Sequence, residues 1–169
     1  MKSIATRYAD TLFRSRLEAR WAAFFDLEGI HWEYEPDNGR PGWWPDFNIR
    51  GSKRGFDCEV KPVAIDPVHI DPAFMKAVGP NWTILLGRAP SDPIVGVGVR
   101  RRVGIETIAM TVEAGNLVAV PAGAPSMGHV SQQFEKTNGL VTQWGKSKSV
   151  NDVLEAYYGR GLFDARGAA

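Results

Sequence analysis

Residues 43–61 read WWPDFNIRGSKRGFDCEVK, and this stretch decides the fold. Two runs within it, WWPDFNI and GFDCEVK, alternate apolar and polar side chains as strands do, and a loop rich in Gly, Ser, Lys and Arg separates them. Both runs also carry charged residues at positions where a buried strand is normally apolar. The stretch therefore predicts two successive strands that hold charge for a reason other than packing.

Strand geometry predicts that these charges meet. Residues two apart on a strand share a face, so Asp57, Glu59 and Lys61 point to one side of the sheet. If the two strands pair, Asp46 lies beside Glu59 and Lys61. Two adjacent carboxylates repel each other, and such an arrangement usually persists because a cation lies between them. Mg²⁺ suits this position because it prefers oxygen ligands and leaves coordination positions to water and phosphate.

The segments on either side predict a helix and further strands. Leu17, Trp21, Phe24 and Phe25 form the stripe of an amphipathic helix, and Gly29 follows where a C-terminal cap belongs. HWEYE predicts a strand before the central pair, and TILLG and PIVGVGV predict strands after it. ETIAMTV and LVAVP flank EAGN as a hairpin, and VSQQFEKTNGLVTQWG and SVNDVLEAYYGR predict C-terminal helices.

Length and composition fit one globular domain. The chain has 169 residues, of which 44% are hydrophobic and 23% charged, with a formal net charge of +1. We expect a single domain over residues 1–169, with its core at about 13–100 and the hairpin and C-terminal helices at about 101–160. One cysteine, Cys58, and three histidines provide neither an internal disulfide nor a recognisable zinc site. Without a signal-peptide or membrane-span pattern, we expect a cytoplasmic protein, in the host cytoplasm if phage-encoded, and no membrane partner.

A family resemblance rests on the same residues. WPDF followed by EVK, with twelve residues between Asp46 and Glu59, resembles the signature of the PD-(D/E)XK nuclease superfamily. The upstream segment FRSRLEARWAAFFDLEGIHWEYEPDN is similar to the first helix and strand of small phage-type endonucleases of this superfamily, so the likeness covers residues 13–61. It implies an α/β (α+β) fold with a mixed central sheet of four to five strands flanked by helices, a restriction-endonuclease-like core and a C-terminal helical extension.

The resemblance also implies roles for individual residues. Asp46 and Glu59 would bind Mg²⁺ or Mn²⁺ together with the backbone carbonyl of Val60, Lys61 would position or activate the attacking water, and Glu18 would be an additional acidic residue near the metal. The implied activity is metal-dependent hydrolysis of phosphodiester bonds in DNA. DNA is the expected partner, with a homodimer or a partner protein of a DNA-processing complex left open. The residues expected to hold its backbone are Arg14, Arg16, Arg20, Arg100, Arg101 and Arg102.

Some features leave alternatives open. Four prolines between residues 62 and 80 restrict the helix that the family places there to a short piece near residues 72–78. Taken singly, Glu59 and Lys61 could be a solvent-facing pair on a strand, and Glu18 an exposed helix residue. The chain could also be a non-catalytic nucleic-acid-binding module, or a viral assembly protein that uses the tryptophan-rich segment as an interface. Exposure of Trp43 and Trp44 would favour the assembly role.

Overall fold

The computed structural model describes residues 4–37, 42–50, 55–66, 69–70, 74–75, 78, 81–91, 93–101, 103–120 and 128–143. These residues form an α+β fold. Its elements are β1 (Thr6–Tyr8), β2 (Thr11–Phe13), α1 (Arg16–Leu27), β3 (Trp32–Tyr34), β4 (Phe47–Arg50), β5 (Gly55–Val60), β6 (Thr83–Leu86), β7 (Gly96–Arg101), β8 (Ile105–Glu113), β9 (Asn116–Ala119), α2 (His129–Leu140) and β10 (Thr142–Gln143).

The main sheet has seven strands in the order β3-β4-β5-β6-β7-β8-β9. β5 and β6 are parallel and the other neighbours are antiparallel, so the sheet is mixed as predicted. The predicted size of four to five strands was too small. The hairpin β8–β9, expected outside the core, pairs with β7 along six residue pairs and so continues the sheet. This pairing covers the backbone groups that β7 would otherwise leave exposed at a sheet edge.

A second, three-stranded sheet of order β10-β1-β2 was not predicted. Its hairpin β1–β2 turns through Ala9 and Asp10, whose φ angles are 45° and 61°. Two-residue hairpin turns with positive φ usually contain glycine or asparagine, so this turn carries no strong sequence signal. The hairpin helps to position the site, because β2 ends at the buried residue Phe13 and the next residue is Arg14, two positions before α1 begins.

The helix α1 forms where the apolar stripe predicted it. Ser15 caps its start, accepting a hydrogen bond from the backbone N–H of Glu18 through Oγ at 3.1 Å. Gly29 ends it with a φ of +70°, the left-handed conformation that favours glycine. The stripe buries Trp21, Phe24 and Phe25 completely. These residues fix α1, and with it Glu18, against the sheet.

The core lies on both faces of the main sheet. One face packs on α1 and α2, where Phe134 of α2 contacts Trp21 with ring centroids 4.7 Å apart. The opposite face carries Leu85 and Val97, which pack with Phe74 and Val78. The β8–β9 turn returns to the end of α1, since a Cβ on Gly115 would lie 3.0 Å from the carbonyl oxygen of Gly29. The sheet therefore curls around α1.

The C-terminal predictions have separate outcomes. The helix predicted from VSQQFEKTNGLVTQWG is confirmed as α2, although its last residues form β10 instead. The helix predicted from SVNDVLEAYYGR lies outside the described residues, and so does most of the short helix predicted near residues 72–78. The helices of the described ranges, with 12 residues each, are too short to cross the apolar interior of a lipid bilayer.

Candidate active site

Asp46 lies at the entrance to β4 and faces β5. Phe47 pairs with Cys58, so the same register continued by one residue sets Asp46 opposite Glu59. The Oδ2 atom of Asp46 accepts a hydrogen bond from the backbone N–H of Val60 at 2.7 Å. Its side chain is almost fully buried, with the whole residue 5% exposed. The carboxylate is therefore fixed by the backbone of the neighbouring strand.

Glu59 and Lys61 extend from β5 on the side of the sheet that Asp46 faces. Glu59 is buried at 8% exposure, which excludes a solvent-facing strand pair. Its Oε1 atom forms an ion pair with Lys61 Nζ, whose side chain remains 32% exposed. Its Oε2 atom is buried and has no hydrogen-bond partner among the residues that the structure describes. A buried carboxylate oxygen without a partner is costly, and it is available to a cation.

Glu18 joins this group from α1. It is buried rather than exposed. Both of its carboxylate oxygens accept hydrogen bonds, Oε1 from Ser15 Oγ at 2.9 Å and Oε2 from Tyr34 Oη at 2.6 Å. Burial raises the pKa of Tyr34, and the hydrogen bond to Glu18 adds to this effect. The Tyr34 hydroxyl therefore stays protonated and keeps donating to Glu18, which holds that carboxylate toward β4.

Arg14 lies inside the carboxylate cluster, a position that the sequence did not indicate. One of its terminal nitrogens lies 2.6 Å from Asp46 Oδ1, and its Nε lies 2.7 Å from Glu35 Oε1 and 3.9 Å from Glu18 Oε2. Partial burial tends to lower the pKa of Arg14. The hydrogen bond with Tyr34 and the charges of the three carboxylates outweigh this and raise it. Arg14 is therefore a permanent cation in contact with the site.

The pKa of Asp46 is raised by its burial and by the carboxylates around it. Burial raises the pKa of Asp46 to about 7, the charge of Glu59 acts in the same direction, and Glu18 adds a smaller contribution. The hydrogen bond from the Val60 N–H and the charge of Lys61 oppose the rise. Raised pKa values occur at functional sites and in structural ion-pair networks, and here the causes are burial and a second carboxylate nearby.

These residues have the chemistry that a hard divalent cation needs. Four carboxylates, those of Glu18, Glu35, Asp46 and Glu59, share the region with two cations, so the six side chains carry a formal charge of −2 when all are ionised. The carboxylates of Asp46 and Glu59 have oxygen atoms of the kind that Mg²⁺ prefers, and one Glu59 oxygen has no hydrogen-bond partner among the described residues. Metal binding by these two residues stays a prediction. Within the described ranges, no three His, Cys, Asp or Glu side chains form a preassembled metal-ligand group. The Val60 carbonyl as a further ligand stays a prediction.

Arg20, one of the residues predicted to contact nucleic acid, joins α1 to α2. Its Nε donates to Thr137 Oγ1 at 3.0 Å, a terminal nitrogen donates to the Phe134 carbonyl at 3.1 Å, and the guanidinium lies 4.2 Å from the centre of the Phe134 ring. Its side chain is mostly buried. Arg20 therefore has a structural role in this fold, and a role in binding nucleic acid stays a prediction.

The other predicted arginines differ in their availability. Arg100 forms an ion pair with Glu106 and stacks over Trp82 at 4.6 Å. Arg16 and Arg101 are exposed, although Arg16 makes one weak contact at 3.4 Å with the Asn138 carbonyl. Arg102 lies outside the described residues. Arg16 and Arg101 are thus the predicted arginines most open to a phosphate.

Sequence reasoning missed Glu35 and Tyr34, which complete the cluster. Both lie at the end of β3, and the Glu35 N–H donates to the Asp46 carbonyl at 3.0 Å. The strand HWEYE was predicted, but only its pairing with β4 shows that its end meets Asp46. Of the two tryptophans before Asp46, Trp44 is 61% exposed and Trp43 is half-buried.

Comparisons of the chain with protein-family models, curated proteins and solved structures found no match.

Proposed function

We propose that this protein is a Mg²⁺- or Mn²⁺-dependent endonuclease that hydrolyses phosphodiester bonds in DNA, built on a restriction-endonuclease-like core of the PD-(D/E)XK type. One observation carries the proposal. Asp46 and Glu59 face each other from adjacent strands at a buried position, with Lys61 beside them and partly open to solvent. Packing alone would not select two buried carboxylates that repel each other.

Each residue has a definite task in this reaction. Asp46 and Glu59 hold the cation, and Glu18 adds negative charge behind them. A divalent cation bound there would engage phosphate oxygens, lower the pKa of a coordinated water and offset the charge that develops in the transition state. Lys61 lies at the open side of the site, where its ammonium group can contact the attacking water or the scissile phosphate.

DNA as the substrate is supported by the resemblance and by exposed cationic residues. Arg16 and Arg101 are exposed and can form salt-sensitive contacts with phosphates. Phosphate contacts position a duplex without reading its sequence. We therefore propose cleavage with little base specificity, or specificity supplied by DNA structure or a partner protein.

One observation favours a second candidate. Trp44 exposes 61% of its surface two residues before Asp46, and exposed aromatic residues are common at interfaces. A non-catalytic nucleic-acid-binding or viral assembly protein that retains a nuclease-like fold would use this residue as a contact. In that case the carboxylates would have no catalytic task.

A cleavage assay separates the two candidates. The protein is incubated with supercoiled, linear, single-stranded and branched DNA, with Mg²⁺, with Mn²⁺ and with EDTA. We expect metal-dependent cleavage of at least one substrate and loss of cleavage with EDTA. Lys61→Ala is the matched control, because a contaminating nuclease would cut equally well in that preparation. Equal cutting by both proteins, or none by either, would contradict the proposed function.

A further inference from the structure

Both oxygens of the Asp46 carboxylate are already occupied. Oδ2 accepts the Val60 N–H at 2.7 Å and Oδ1 lies 2.6 Å from Arg14. A divalent cation and a guanidinium on the same oxygen would repel strongly at that distance. A carboxylate oxygen can accept two bonds, so a cation could share Oδ2 with the Val60 N–H, but it would then lie close to the guanidinium on Oδ1. Metal binding by Asp46 therefore competes with Arg14.

Arg14 is the partner that can move. The Val60 N–H belongs to β5, which pairs with neighbours on both sides, so it cannot leave without disrupting the sheet. The Arg14 side chain is 59% exposed and lies in the short connection between β2 and α1. The contact with Asp46 is thus held by a long, largely exposed side chain that has space outside the site.

Glu35 offers Arg14 a second anchor nearer the solvent. Its Oε1 lies 2.7 Å from Arg14 Nε, and its side chain is 36% exposed, against 7% for that of Asp46. Glu35 also has a φ of 45°, which is uncommon for a non-glycine residue. Its N–H bond to the Asp46 carbonyl fixes the two residues relative to each other. Arg14 can therefore release Asp46 while it keeps Glu35.

We propose that Arg14 is an exchangeable internal cation of this site. It neutralises Asp46 while no divalent cation is bound, and a divalent cation displaces it from Asp46 toward Glu35 and the solvent, where its guanidinium meets a phosphate of the nucleic acid. The inference rests on the proposed function, because it takes Asp46 as a metal ligand. By linkage, a phosphate that draws Arg14 away also strengthens metal binding, so the site loads metal best when nucleic acid is present.

Metal affinity tests this exchange without any measurement of activity. Binding of Mn²⁺ is followed by the loss of the free-ion electron paramagnetic resonance signal, for the parent protein, Arg14→Gln and Arg14→Ala. Removing the competing cation should tighten Mn²⁺ binding by about fivefold or more. Arg50→Ala is the charge-matched control, because Arg50 is exposed at the far end of β4, and it should change the affinity much less. Unchanged or weaker binding by both Arg14 variants, with native circular dichroism spectra, overturns the inference.

Nucleic acid provides the second measurement. In a Lys61→Ala background, which suppresses cleavage, a short DNA duplex should tighten Mn²⁺ binding, and Arg14→Gln should remove most of that effect. An equal effect of DNA with and without Arg14 would contradict the phosphate contact. The inference and the proposed function can fail separately. Tighter Mn²⁺ binding by Arg14→Gln with no cleavage by the parent protein rejects only the nuclease, whereas cleavage without tighter binding rejects only the exchange.

Discussion

Acidic side chains lie at both ends of α1, half-buried at one end and buried at the other, and their partners differ in kind. Near its C-terminal end, Asp26 receives a hydrogen bond on each oxygen, from Tyr8 Oη at 2.8 Å and from Trp32 Nε1 at 3.1 Å. Near its N-terminal end, Asp46 also has a partner on each oxygen, but one of them is the charged guanidinium of Arg14. Asp46 faces a second buried carboxylate, Glu59, and one Glu59 oxygen has no partner within the described part of the chain.

We interpret this difference as that between a structural carboxylate and the proposed metal-binding carboxylates. Neutral donors bond both oxygens of Asp26, which stabilises the fold without requiring a ligand. Like charges that are buried together reduce stability, and they persist where binding or catalysis requires them. Substitutions at the two ends of α1 test this contrast.

Lys61→Ala should give the largest change. It removes the ammonium group at the open side of the site and leaves both metal carboxylates, so cleavage should fall by about 100-fold or more, the scale of one lost transition-state contact. Mn²⁺ binding should survive, because both proposed metal ligands remain. The measurement is a single-turnover cleavage time course beside a Mn²⁺ titration. Parent-like cleavage by this variant would remove Lys61 from the mechanism.

Asp46→Asn should affect metal binding and stability in opposite directions. A neutral amide replaces an anionic ligand, so Mn²⁺ affinity should fall by about tenfold or more, and high Mn²⁺ should restore part of the activity. The metal-free variant should melt at a higher temperature than the parent, because losing the burial cost of the charge and its repulsion with Glu59 outweighs losing the ion pair with the largely exposed Arg14.

Asp26→Asn is the matched substitution at the other end of α1. It weakens two satisfied hydrogen bonds to a charged acceptor, so the unfolding free energy should fall by about 1 kcal/mol or more. The melting temperature should fall with it. Mn²⁺ affinity should stay at the parent value. If both aspartate variants shift stability in the same direction, the contrast between the two ends of α1 is wrong.

The pH dependence of stability should follow from the raised pKa of Asp46. Its pKa is about 7 in the folded protein and near the ordinary value of 3.8 when unfolded, so between these values the folded state binds the extra proton. The contribution of Asp46 to stability is therefore greatest at low pH and is lost as pH rises through 7. The metal-free melting temperature should drop by about 5 °C or more between pH 5 and pH 8 through this group. Asp46→Asn should flatten the profile, and a parent-like slope in that variant would assign it to other groups.

Much of this fold could be predicted from local patterns. The period of Leu17, Trp21 and Phe25 located α1, and the alternation around Asp46 and Glu59 located β4, β5 and the shared face of their carboxylates. The hairpin β1–β2 was missed because its turn uses alanine and aspartate. The contacts of Arg14 with Asp46 and Glu35 were missed for another reason. They join segments 32 and 21 residues apart, and their geometry depends on how α1 and β3 pack, which no local pattern encodes.

The smallest expected effects come from two tyrosines that donate to carboxylates at the two ends of α1. Tyr8→Phe removes one donor from Asp26, and Tyr34→Phe removes one donor from Glu18. Each leaves a carboxylate oxygen, half-buried in Asp26 and buried in Glu18, with one fewer hydrogen bond. Each should therefore cost about 1 kcal/mol of unfolding free energy, or roughly 2–4 °C in melting temperature. Their functional effects should differ. Tyr34→Phe frees Glu18 to move relative to Asp46 and should lower cleavage several-fold, whereas Tyr8→Phe should cleave like the parent at temperatures well below its melting point. Parallel melting curves and cleavage time courses measure both properties, and an equal loss of cleavage in the two variants would show that Glu18 is held for stability alone.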